Sequence, residues 1–308
     1  MPDPDSVIPF DRLPPGFADT LDSPPAEPVT PRPAATVVLL RDAIAGPEVL
    51  LLRRVRSSGF VPGAYVFPGG RVDADDSSPA LEARIAGLDA ATAATRLGLE
   101  VDAVPPALAY VLASIREAFE ETGLLLARDE AGQPLAPAAR DATVAAARER
   151  LLADEAAFAP ILDELGVRLA GDAVEYVAHW ITPVVEPRRY DTRFFAAAME
   201  GPAEVSVNAA EMSDAVWLTP GAALDRHREG RLPMIFPTIH TLESLAGHDS
   251  ATAILESFRR RPVPRSSRVW SEPRVASDSR STELGEVPEA IRRLEEGHAR
   301  AEVVIEVP

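Results

Sequence analysis

From Ala34 onward the chain alternates between short β-rich apolar runs and longer stretches with helical spacing. ATVVLLRD (35–42) and PEVLLLRR (47–54) are two such runs joined by a short turn containing Gly46, which predicts a hairpin. SSGFVPGAYVFPGGRVDADD (57–76) is punctuated by Gly and Pro and reads as a loop. Residues 78–103 are Ala-rich and helix-prone. The clearest helix covers PPALAYVLASIREAFEETG (105–123). Pro106 stands near its start, Leu112, Ile115, Ala118 and Phe119 form an apolar stripe, and Gly123 can supply a left-handed cap. One or two helices are predicted over 138–168, and strands over 174–185 and 192–199. A strand at 214–220 runs into a helix ending near Arg228, and helices follow at 235–247 and 251–260. Strands and helices are interspersed with no regular strand–helix–strand period. This favours a mixed α/β sheet sandwiched by helices. Residues 1–33 are rich in Pro and acids and read as a flexible arm, 34–261 as the folded domain, and 262–308 as a linker or tail.

Composition narrows the class. A chain of 308 residues with 46% hydrophobic positions can bury a sizeable core, and its length fits one elaborated domain or two small ones. There is no Cys, which removes disulfides, thiolate metal sites and a Cys nucleophile. No apolar run reaches the length of a membrane span, and the first residues lack the pattern of a secretory signal, so a cytoplasmic location is expected. The 48 acids against 31 bases give a net charge of −17, and every one of those bases is Arg. Such a field repels nucleic acid and anionic membrane, so neither is an expected partner. An anionic small molecule would need a local cation, either clustered Arg or a bound metal. No G-x-S-x-G motif or dinucleotide fingerprint is present. The five His residues show no metal-ligand spacing.

Chemistry concentrates late in the 105–123 helix. Glu117, Glu120 and Glu121 are spaced i, i+3, i+4 and share one helical face. Like charges so placed repel by a few tenths of a kcal/mol per pair, and they stand at the negative end of the helix dipole. Two readings stay open here: a solvated acidic face, or a site for a hard divalent cation, which takes oxygen ligands. Arg116, four positions before Glu120, can brace it. Upstream, GAYVFPGG (63–70) reads as a strand entering a Gly-Gly turn. Bare backbone at Gly69 and Gly70 either turns the chain or admits the close approach of a ligand or of the acidic helix.

Together these segments resemble the Nudix box, G-x5-E-x7-R-E-U-x-E-E-x-G-U with U aliphatic. Its second half is matched in full by Arg116, Glu117, Ala118, Glu120, Glu121, Gly123 and Leu124. The first half is interrupted, because Arg116 follows Gly70 by 46 positions, 32 more than the box allows. If the insertion follows the first Glu of the box, that position holds Asp76; if it precedes it, the position holds Leu108. A long insertion inside the box is similar to the coenzyme A diphosphatase branch of this family. VLLLRR, GF-x-PGA-x-VFPGG, ADDSSP, W-I-T-P (180–183) and R-Y-D-T-R-F-F (189–195) carry that likeness over residues 35–260. The general coenzyme A signature is half kept. Leu50, Leu51, Arg54, Gly63, Phe67, Pro68, Gly69 and Gly70 fit it, whereas Leu52, Val55 and Gly59 depart from it and Arg56 offers a guanidinium from a shifted position.

The resemblance implies an α/β/α sandwich around a mixed β-sheet, with helical insertions at about 77–104 and 125–170. It implies metal-dependent attack of water on the pyrophosphate of a nucleoside diphosphate derivative. Coenzyme A or an acyl-coenzyme A leads as substrate, giving 3′,5′-ADP and a 4′-phosphopantetheine product. ADP-ribose, NADH or an oxidised nucleotide are alternatives, as is a non-catalytic ligand sensor. Mg²⁺ or Mn²⁺ would be held by Glu120, Glu121 and the Gly70 carbonyl, with Glu117 as ligand or general base and Arg116 orienting the carboxylates. Arg54, Arg56, Gly69, Arg71 and Arg193 are the expected substrate contacts. Glu211, upstream of the 214–220 strand, is a second candidate base and equally reads as a surface-loop acid. Arg193 reads either as a phosphate contact or, two positions along a strand, as a partner of Asp191. Phe194, Phe195 and Trp180 read as core. Family members are often dimers, so a homodimer is a further expectation.

Overall fold

The structure, a computed structural model, describes residues 29–59, 61–135, 142–182, 186–199 and 204–260. It also places short strands at Val7–Ile8, Arg268–Val269, Pro273–Ser277, Arg280–Ser281 and Ala301–Ile305. The chain forms two compact units, 33–178 with 193–263, and 1–32 with 179–192 and 264–308.

In the first unit, Arg32–Ala43 (β1) and Gly46–Arg54 (β2) form the expected hairpin, with Leu40 opposite Val49. Val37 to Leu40 and Val49 to Leu52 have no exposed surface. Continuous apolar runs of this kind belong to strands covered on both faces. Tyr65–Val66 (β3) pairs with β2, and Gly69–Arg71 (β4) pairs with β1, so the Gly-Gly turn is stitched to the sheet.

The helix-prone region 78–103 resolves into a single turn at Pro79–Glu82 (α1), a strand at Ile85–Ala86 (β5) and a helix at Ala90–Leu97 (α2). The acidic helix spans Ala107–Thr122 (α3) and ends on Gly123 in the left-handed conformation, φ +75°. The apolar stripe expected from its spacing widens to nearly the whole circumference, since every residue of α3 except Glu120 is buried. Both insertions contribute to this, the first through Leu81, Ala93, Ala94 and Leu97 in the same core. Ala127–Arg128 (β6), Ala142–Leu152 (α4), Phe158–Leu165 (α5) and Arg168–Ala170 (β7) follow α3, and Phe158 stacks on Phe119 with ring centroids 6.0 Å apart. The two insertions meet, because β7 pairs in parallel with β5 and antiparallel with β6.

Glu175–Ile181 (β8), Tyr190–Ala198 (β9) and Met212–Leu218 (β10) complete the main sheet, in the order β10-β2-β1-β9-β8. Pro220–Arg228 (α6), Phe236–Leu245 (α7) and Ala251–Arg260 (α8) follow as the spacing predicted. Trp180, Phe194 and Phe195 are buried, as expected of core residues.

In the second unit, Val7–Ile8, Ala301–Ile305, Pro273–Ser277 and Arg280–Ser281 form a four-stranded sheet. This adds elements to segments read from sequence as an arm and a tail. The β-branched pairs involved are too short to stand out as strands by periodicity, and only pairing across the length of the chain (Val7 with Val304) makes them so. His179 and Asp191 are hydrogen-bonded in this unit, and Arg189 donates to the carbonyls of Thr182 and Val29.

Candidate active site

The end of α3 is held by four separate donors. A helix leaves its last four carbonyls without intrahelical partners. Here the Gly123 amide donates to the Phe119 carbonyl at 2.8 Å. Arg148 of α4 donates to the Glu120 carbonyl through Nε at 3.1 Å and Nη2 at 2.6 Å. The amides of Asn208 and Ser206 donate to the carbonyls of Glu121 and Thr122 at 3.0 and 2.9 Å. The loop that supplies Ser206 and Asn208 continues to Glu211, whose carbonyl accepts from the Val55 amide just past β2.

Arg116 is the hub of the side chains. Its Nε and Nη2 donate to the two oxygens of Asp76, each at 2.9 Å. Its Nη1 donates to Glu117 at 3.0 Å and to Glu120 at 3.1 Å, and Nη2 also reaches the Arg71 carbonyl at 3.0 Å. Asp76 is fully buried and accepts a further bond from the Asp73 amide. The alternative left open by the interrupted box is therefore decided: Asp76 faces Arg116, whereas Leu108 packs in the hydrophobic core. The insertion follows Asp76 in the chain.

The paired glycines approach the helix because nothing larger fits. The Gly69 amide donates to Glu121 at 3.0 Å. A Cβ on Gly70 would land on the Glu117 carboxylate, and one on Gly69 would strike the backbone of Ala35 and Thr36. The reading of α3 as a solvated acidic face is not what the structure has, since Glu117 and Glu121 are buried against the turn.

The electrostatics follow from that burial. Desolvation pushes Glu117 up to about 7, helped by the charges of Glu120 and Glu211 and opposed by Arg116. Glu121 is raised well above the ordinary carboxylate value by burial and by Glu117, against the Gly69 hydrogen bond and the Arg54 charge. Burial also raises Glu120, opposed by Arg116. For Arg116, burial works against the charge, but the Asp76 bonds and the charges of Glu117, Asp76 and Glu120 outweigh it and hold it above its ordinary value.

The structure thus brings together Arg116, Glu117, Glu120, Glu121, Gly69 and Gly70, with Glu211 and Arg54 close enough for their charges to be felt. Arg54 also donates from Nε to Ser58. Three expected substrate contacts sit differently. Arg71 joins the site through its carbonyl while its side chain is exposed. Arg56 is exposed in the turn after β2. Arg193 is buried, its Nη1 donating to the Leu97 carbonyl and the Tyr176 hydroxyl, each at 3.2 Å, with its guanidinium 5.0 Å from the Tyr110 ring centroid. The Asp191 pair expected from sequence is not the one formed, since Asp191 bonds His179. Arg148 went unnoticed in the sequence, where no motif marks it.

An oxygen-loving cation suits this donor set. Asp76, Glu117 and Glu120 gather on the Arg116 guanidinium and Glu121 on the Gly69 amide, and burial, reinforced by neighbouring carboxylates that include Glu211, raises Glu117 and Glu121. Among the described residues no three acidic or histidine side chains already stand at ion-holding separation. Arg116 and the Gly69 amide engage one oxygen each of Glu117, Glu120 and Glu121, so an ion would have to draw the carboxylates together.

Comparison with known proteins places this geometry. The family model for the NUDT19 Nudix domain matches residues 30–245. Acyl-coenzyme A diphosphatase NUDT19 of Gallus gallus is 30% identical over 240 residues, covering 66% of this chain and 62% of the relative. The Homo sapiens protein of the same name is 28% identical, covering 67% and 62%. This chain therefore spans a little under two thirds of the length of the curated relatives it matches. The crystal structure of a Nudix hydrolase from Alicyclobacillus acidocaldarius superposes with a TM-score of 0.59 at 27% identity, covering 74% of this chain and 96% of that one. The expected α/β/α architecture is thereby that of a solved relative. No helix among the described residues is long and apolar enough to cross a membrane.

Proposed function

This chain belongs to the NUDT19 Nudix domain family, and we propose that it is a metal-dependent hydrolase that cleaves the pyrophosphate of coenzyme A or an acyl-coenzyme A. The products are 3′,5′-ADP and 4′-phosphopantetheine or its acyl form. The observation that carries this reading is the closure of the interrupted box in space. Arg116 bonds Asp76, Glu117 and Glu120 at once, while Glu121 reaches back to Gly69. The names of the relatives supply the substrate class.

In the proposed mechanism Glu120, Glu121 and the Gly70 carbonyl would hold Mg²⁺ or Mn²⁺, with Glu117 as a further ligand or the general base. When bound, the cation neutralises pyrophosphate charge and makes a bound water more acidic. Arg116 fixes the rotamers of Glu117 and Glu120 by charge-assisted hydrogen bonds. Glu117, held by Arg116 against the Gly69–Gly70 turn, is the first candidate base. Glu211, whose charge raises Glu117, is the second candidate. Arg54, whose charge lowers Glu121, is the guanidinium we assign to a phosphate oxygen. A cytoplasmic location and a homodimer belong to the same proposal. The sensor alternative drew on Asp replacing the first Glu of the box, and Asp76 keeps a two-oxygen bond to Arg116.

A substrate panel tests the proposal. With Mg²⁺ or Mn²⁺, coenzyme A and acetyl-coenzyme A should give the highest kcat/KM, with both products identified by mass. Glu120→Gln should lower kcat by orders of magnitude without unfolding the chain. A higher kcat/KM for ADP-ribose, NADH or an oxidised nucleotide would move the substrate, and no turnover of any would favour a sensor.

A further inference from the structure

The second insertion reaches the site through one side chain. Arg148 lies 28 positions beyond Glu120 and is 5% exposed, yet both its Nε and Nη2 converge on the Glu120 carbonyl. Two donors on one backbone oxygen fix that peptide in position and direction. The place is electrostatically demanding. It is the negative end of a helix dipole, and the same residue carries a carboxylate already half-buried beside the charges of Asp76 and Asp73. Arg148 is the only side chain among the four donors that close the end of α3. The neighbouring carbonyls, on Glu121 and Thr122, are taken by the amides of Asn208 and Ser206, in the loop that leads to Glu211. Arg148 therefore stands where the acidic turn of α3 and the Glu211 loop are joined.

We propose that Arg148 is a positioning residue, through which the insertion holds the last turn of α3 and the Glu211 loop in the arrangement that the carboxylates need. It touches no substrate and acts through the Glu120 backbone. This inference rests on the carboxylate site proposed above, so its test includes a readout that needs neither metal nor substrate. In metal-free protein, Arg148→Met should speed amide exchange at Gly123, Ser206 and Asn208 about tenfold or more, while exchange in β1 and β2 stays as in the wild type. In the loaded enzyme the same variant should lower kcat at least tenfold with KM for the substrate within about threefold. Arg148→Lys, which restores a charge and one donor, should recover part of kcat and slow the exchange again. Unchanged exchange at the three amides in Arg148→Met overturns the proposal, as does a rise in KM at unchanged kcat. Exchange that quickens throughout the core would mark Arg148 as a general packing residue and also overturn it. If instead Glu120→Gln keeps full activity, the carboxylate assignment fails, and the exchange measurement still decides whether Arg148 holds the turn.

Discussion

Gly69 and Gly70 lack a side chain for different reasons, and the difference is measurable. Beyond Gly70 lies the mobile end of one side chain, the Glu117 carboxylate; beyond Gly69 lies fixed backbone of β1. Gly70→Ala should therefore fold with little loss of stability but displace Glu117, lowering kcat by about a hundredfold, the lower end of what general-base catalysis contributes. Gly69→Ala should cost about 1–3 kcal/mol of stability, as overpacking does. Denaturant midpoints beside kcat for the two variants check this, and equal effects on both quantities would contradict it. Glu117 makes a second prediction at the same scale. Its native value of about 7 lies above the ordinary 4.5, so the native state binds the proton more tightly than the unfolded chain. Metal-free protein should then lose stability as pH rises from about 4.5 through about 7, by roughly 3 kcal/mol at most from this group. Melting temperatures at pH 5 and pH 8 should show the fall, and Glu117→Gln should make it shallower, with Glu120 and Glu121 supplying the remainder. A wild-type curve parallel to that of the variant would contradict the assignment.

The helix and the turn facing it are joined by one ion pair that spans the insertion. Asp76 has no exposed surface and meets Arg116 with both oxygens. Asp76→Asn keeps the volume but weakens the two charge-assisted bonds on Nε and Nη2 of the buried guanidinium, and breaking a buried pair from one side costs about 3–5 kcal/mol. A shift of that size in the denaturant midpoint is expected, and a shift under 1 kcal/mol would show the pair to be incidental. Elements of this kind were legible in the sequence where the signal is local. The β1–β2 hairpin, the Gly123 cap and the spacing of the three glutamates each depend on a few adjacent residues. What was not legible depends on partners far along the chain. Asp76 and Leu108 were equal candidates until the fold placed one against Arg116. Arg193 and Asp191, two apart on a strand, share a face by alternation, which is why a pair was expected. Tyr110 and Tyr176 instead take the Arg193 guanidinium. Arg148 gives no local signal at all, because its partner is a backbone carbonyl on another helix.

At the scale of the whole chain, a protein of net charge −17 handling an anionic pyrophosphate needs a concentrated positive charge, and of the arginines expected at the site Arg54 alone is left to offer one. Arg116 is committed to Asp76, Glu117 and Glu120, Arg193 is in the core, and Arg56 and Arg71 point outward. A divalent ion among the α3 carboxylates resolves the conflict, and also explains why three acids, two of them buried, are gathered at the unfavourable end of a helix. The direct measurement is a Mn²⁺ titration of the purified chain at pH 7.5, followed by the electron paramagnetic resonance of free Mn²⁺. The wild type should bind the ion stoichiometrically at micromolar to sub-millimolar concentrations, and Glu120→Gln and Glu121→Gln should each weaken binding by tenfold or more. Binding of equal strength in all three proteins, or none in the wild type, would contradict the account.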